Sequence, residues 1–162
     1  MKKTTSLVLL ISVLLIGSCN RIKDKSKDIL AEQKDKLFPK YDHDIPNSEN
    51  NKKRFKEFFG FNPTSDIDSI YCYADQLGVD HDYSFSFKCD TSTIKKIRKN
   101  LNLSNDSTFS TGFNSLFHDF EWWDVEVINE LQPYWNKGEH EVHYFLWFDS
   151  NGSKAYYFEF DL

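Results

Sequence analysis

Glu121, Asp124 and Glu126 stand around the indole pair Trp122-Trp123, and this grouping comes nearest to chemistry in the chain. Glycoside hydrolysis uses two carboxyl groups across a sugar-sized gap, one as acid and the other as base or nucleophile. Aromatic faces also stack on pyranose rings without any reaction, and Trp135 would extend such a surface. A plainer reading needs no ligand. Adjacent indoles cover a core, and acids beside a helix start favour its dipole.

The remaining reactive side chains form weaker patterns. Cys72 and Cys89 lie in neighbouring extended runs, and with Cys19 processed they make an even pair. Export would permit a disulfide between them; two small apolar thiols in a core are the alternative. His140 and His143 are three apart, which on a strand sends the rings to opposite faces, so no metal site is expected. Asp80-His81-Asp82 occupies a turn. Asp149-Ser150-Asn151-Gly152 resembles the opening of a calcium loop but has no closing acid and is flanked by strands. No Gly-rich phosphate loop, nucleophile elbow or H-E-x-x-H is present. The sequence therefore assigns no catalytic residue and no cofactor, and it leans away from an enzyme.

The elements that would position these residues are easier to read. His140–Phe148 and Lys154–Leu162 are aromatic-rich extended runs around Asn151-Gly152, which predicts a hairpin with the glycine at positive φ. Ile67–Ala74 and Tyr83–Cys89 predict another. In the latter Tyr83, Phe85, Phe87 and Cys89 share the core face, while Ser84, Ser86 and Lys88 face water. Lys52–Phe59 reads as a helix ended by Gly60. Thr93–Leu101 reads as a second, capped from Asp90-Thr91-Ser92-Thr93, and Val125–Leu131 as a third, ended by Pro133. Phe109, Thr111 and Phe113 alternate, which suggests an edge strand. The expected fold is α+β: an antiparallel sheet of about four strands, as two hairpins, with helices on one face.

The first eighteen residues are of another kind. Lys2 and Lys3 precede the apolar run Leu7–Ile16, and Ile16-Gly17-Ser18-Cys19 resembles the bacterial lipobox. That resemblance implies cleavage before Cys19, a diacylglycerol on its sulfur and a further acyl chain such as palmitate on its nitrogen. Several acyl chains give durable attachment to the membrane. Asn20 in place of Asp favours the outer over the inner membrane. Residues 19–50, rich in alternating Lys and Asp, read as a flexible tether, with Tyr41-Asp42-His43-Asp44 as exposed polar sequence within it. A single domain then occupies residues 51–162.

Charge narrows the partners. From Leu101 onward only Lys137 and Lys154 are basic, among eleven acids, so nucleic acid is not expected. The run Tyr71-Cys72-Tyr73-Ala74-Asp75, Phe85–Asp90, Trp122-Trp123-Asp124, Pro133-Tyr134-Trp135 and Tyr144–Asp149 resembles small bacterial lipoproteins of unknown function. The resemblance carries no activity. With the lipobox-like start the expectation is a lipid-anchored envelope protein, and the residues around Trp122 and Trp123 make a glycan, or else another envelope protein, the expected partner.

Overall fold

The computed structural model describes residues 29–31, 33–35, 37–75, 82–105 and 119–161, with His140 described in its backbone only. Residues 29–31, 33–35 and 37 are helical and expose Ile29, Leu30 and Leu37. They belong to one unit, and Tyr41–Leu162 forms a second, compact one. The compact unit thus takes in ten residues that the sequence assigns to the tether. Asp80, His81 and the alternating Phe109–Phe113 stretch lie outside the described residues, as does Cys19.

The fold is α+β. Strands β1 (Asp68–Asp75), β2 (Asp82–Lys88), β3 (Tyr134–Lys137), β4 (His143–Asp149) and β5 (Lys154–Phe160) form one antiparallel sheet in the order β1-β2-β5-β4-β3. The strand unforeseen from sequence is β3. Four residues offer too short a run for alternation to register. The run expected from His140 starts as a strand only at His143, because Glu139–Glu141 form a 3-10 turn.

Helix α1 (Glu49–Phe59) starts three residues earlier than expected because the Ser48 hydroxyl accepts from Asn51 N–H at 3.1 Å. It ends at Gly60, whose φ of 79° suits a residue without Cβ, and whose N–H donates to the Lys56 carbonyl. Phe55, Phe58 and Phe59 then meet Phe87, Tyr83 and Tyr157 at ring separations of 5.1, 4.9 and 5.0 Å, all edge-on. Helix α2 (Thr91–Asn100) adds Ile94 and Ile97 to the same core.

Capping of α2 differs from expectation. The Asp90 side chain makes no cap bond. Asp66, from the segment before β1, instead accepts from Thr93 Oγ1 at 2.7 Å and from Asp90 N–H at 3.3 Å. With Thr64 also donating to it, these bonds hold the Asp66 carboxyl at about 2. A depressed carboxyl stabilises above its unfolded value and loses that contribution as pH falls through the folded one. Asp66→Asn should therefore cost about 1 kcal/mol at pH 7, after allowance for solvent. Its unfolding free energy should meet the parent's near pH 2 in urea titrations.

The second face of the sheet is covered as well. Ser84 and Ser86, expected to face water, are buried because α3 (Val125–Glu130) and the segment before it cap that side. Trp122, Trp123 and Ile128 pack there with Phe145, Trp147, Tyr156 and Phe158. The two longer helices occupy one face, and a shorter aromatic layer occupies the other.

The β4–β5 turn holds a small surprise. Gly152 is not at positive φ; Ser153 is, at 49°. Gly152 is needed for close approach instead, since a Cβ there would collide with the Asp149 carboxylate, which accepts from Asn151 and Gly152 N–H. Ser153→Gly should raise stability by about 0.5–1 kcal/mol by relieving the left-handed residue. Equilibrium denaturation would show a higher midpoint with an unchanged slope.

Both outer strands carry a one-residue partner. Asn47 N–H donates to the Ile70 carbonyl on β1, and Ile70 N–H donates to Asn47 Oδ1. On β3, Ser104 and Trp135 exchange a pair of backbone hydrogen bonds of 3.0 and 2.9 Å.

Candidate functional site

A cleft of about 520 Å³ lies on the second face, at the start of β1, the end of β2 and the start of β5. Ser86 lies at its base, between the cross-strand neighbours Tyr71 and Tyr156. Tyr71, Phe120 and Trp122 form an aromatic wall. Lys88 and Lys154 stand directly opposite each other on β2 and β5 and close one end. His43, Asp44, Asp119 and Glu121 supply polar groups elsewhere on the lining.

Strand β1 and the segment before α3 build the wall, and the loop before α1 braces it. Trp122 Nε1 donates to the His43 carbonyl at 2.8 Å, and the His43 ring rests 5.2 Å from Phe120. Tyr41–Asp44 is therefore part of the domain and not exposed tether. Asn51 explains why: its side-chain amide donates to the carbonyls of Asp42, Ile45 and Ile70, and its oxygen accepts from Asp42 N–H and Cys72 Sγ. A fully buried amide in α1 thus ties the loop before the helix to β1.

The indoles cover the core and do not form a stacking platform. Trp122 lies nearly parallel to Tyr71 (5.6 Å, 10°) and to Phe120 (4.9 Å, 9°), and only 8% of it is exposed. Trp123 is 5% exposed and lies edge-on against Tyr156 and Trp147. A sugar ring needs an open aromatic face, and neither offers one. Trp135 on β3 is half-buried, stacked on Phe145, and takes no part in the cleft.

The carboxylates separate likewise. Asp124 is the N-cap of α3, accepting from Val127 N–H at 3.1 Å, while Glu121 is exposed on the cleft lining. Asp124 spends its oxygen on the helix, which leaves it poorly placed as half of an acid–base pair.

Cys72 and Cys89 do not meet. The register sets Cys72 opposite Phe85, with Cys89 four residues further along, about 13 Å at strand rise. A disulfide needs Cα atoms within about 7 Å. Both thiols are free and buried, and burial pushes each up to about 12. Such thiols stay protonated and are poor nucleophiles.

No family model, curated protein or solved structure matches this chain. Its chemistry has to be taken from the cleft alone. The described residues contain no group of three or more His, Cys, Asp or Glu side chains able to hold a metal ion. The cleft does bring together a cationic end, an acidic rim and an aromatic wall, which is equipment for binding. Ser86, Lys88 and His43 were not identifiable as neighbours from sequence. Strand alternation puts Ser86 and Lys88 on one face, but only the β2–β5 register brings Lys154 beside them.

Proposed function

We propose that this chain is a lipid-anchored binding module of the bacterial cell envelope, one that catalyses no reaction itself. The cleft carries the binding half of the reading. It joins paired lysines, exposed acids and an aromatic wall, with no activated nucleophile among its described lining residues. The anchoring half rests on Lys2-Lys3, the apolar run Leu7–Ile16 and the lipobox-like Ile16-Gly17-Ser18-Cys19. Among the described residues no helix is long and apolar enough to cross a membrane.

Anchoring is tested by Cys19→Ala. In a bacterial host the parent should sediment with membranes and the variant should move to the soluble or precursor pool, with the acyl-dependent mass increase lost. A variant that stays on the membrane at the parent's level, with the parent's mass, would defeat the reading. Glycan binding through Trp122 and Trp123 is disfavoured by their burial; a glycan partner would have to use the polar lining of the cleft.

A further inference from the structure

We infer that the cleft takes a small zwitterion of amino-acid or dipeptide size, its carboxylate held between Lys88 and Lys154 and its ammonium at Asp119 and Glu121. This rests on the reading of the cleft as the binding site, and it adds the ligand's chemistry.

The lysine end of the cleft points to an anion. Lys88 and Lys154 are directly opposed across β2 and β5, a like-charge pairing that costs stability unless something compensates. Among the described residues neither forms a salt bridge. The nearby acids act on them only through space, Asp68 on Lys88 and Asp124 and Asp149 on Lys154, and each also accepts hydrogen bonds of its own. Asp68 accepts from Asn47 Nδ2 and the Ser69 hydroxyl, Asp124 caps α3, and Asp149 binds the turn N–H groups. Lys154 is also partly buried, which pushes its ammonium below the ordinary value, and it lies 4.8 Å from the centre of the Tyr156 ring.

Ser86 supplies an independent sign. It is 0% exposed, it adjoins the base of the cleft, and its hydroxyl has no hydrogen-bond partner among the described residues. A buried hydroxyl without a partner is unfavourable, and a carboxylate oxygen settling between the lysines would give it an acceptor. The opposite requirement holds at the rim. Asp119 and Glu121 are exposed acids on the same lining, so a polyanion such as a phosphate ester would be repelled there while an ammonium would be drawn in. A volume near 520 Å³ accommodates a dipeptide.

The test is a titration of the full chain in detergent, followed by amide and indole NMR shifts, with Ala-Ala and Gly-Phe as probes. The C-terminal amides, the N-acetyl forms and the neutral sugars glucose and N-acetylglucosamine serve as comparisons. The free dipeptides should shift Ser86, Lys88, Lys154 and the Trp122 indole, and blocking either end should weaken binding at least about tenfold. Lys154→Met should weaken the free dipeptides by a similar factor while leaving the affinity of the amides unchanged. Equal affinity for dipeptides and their amides would overturn the assignment, as would cleft shifts from neutral sugars alone; the cleft would still be a binding site. Absence of cleft shifts with every probe would overturn both.

Discussion

Asn51→Leu should lower the free energy of unfolding by about 3–5 kcal/mol, because a side chain of similar size replaces an amide that serves five buried or half-buried groups. Its two amide hydrogens are shared among the carbonyls of Asp42, Ile45 and Ile70 at 2.8, 3.0 and 3.0 Å. Its oxygen accepts from Asp42 N–H at 2.9 Å and from Cys72 Sγ at 3.0 Å. Each group left dry and unpaired costs about 1–3 kcal/mol; the Ile70 carbonyl keeps Asn47 N–H, and leucine can satisfy none of the other four. Some relief comes if residues 41–47 lift off and let water in. That escape has its own signature. The His43 carbonyl would leave Trp122 Nε1, so the indole emission should shift to the red. Urea denaturation combined with fluorescence checks both; a loss under 1 kcal/mol with unchanged emission would show that Asn51 is not the pin.

Ending the chain at Ser153 should abolish cooperative unfolding altogether. Strand β5 lies in the middle of the sheet, paired with β2 over Tyr83–Lys88 and with β4 over His143–Asp149. Its side chains serve both cores: Tyr157 enters the layer under α1, while Tyr156 and Phe158 enter the tryptophan layer. Burying an aromatic side chain of this kind is worth about 2–3 kcal/mol. Three of them match the whole net stability of a typical domain, about 5–15 kcal/mol, before any hydrogen bond is counted. Removing the strand would also leave β1–β2 and β3–β4 as two hairpins with nothing between them. A sharp thermal transition and retained near-ultraviolet dichroism in the truncated chain would refute this.

The elements were readable where one local signal dominates. Phe55, Phe58 and Phe59 fall on one helical face, Gly60 stops the helix, and Tyr83, Phe85 and Phe87 alternate. What escaped was non-local. Ser84 and Ser86 look wet in a strand pattern, since polarity alone does not reveal that two tryptophans some forty residues later cover them. Asp66 caps a helix that begins twenty-five residues further on, and no window centred on Asp90 contains it. Asn51 looks like an ordinary polar residue at a helix start, yet it decides that Tyr41–Asp44 belongs to the domain. The cleft failed to show itself for the same reason. Its lysines and its acids come from separate segments, and only the sheet register gathers them.

Asn47 and Ser104 have a meaning that reaches past the single molecule. Each occupies the outer backbone groups of a border strand over one residue, where a neighbour's strand would otherwise begin to add. If the chain is held on a lipid surface by Cys19, diffusion is confined to two dimensions and copies collide far more often than in free solution. Crowding of that sort turns an open border into a route to ribbon-like polymers. A protein obliged to live packed beside its own copies would need those borders guarded, and here one residue on each, Asn47 and Ser104, takes up part of the border.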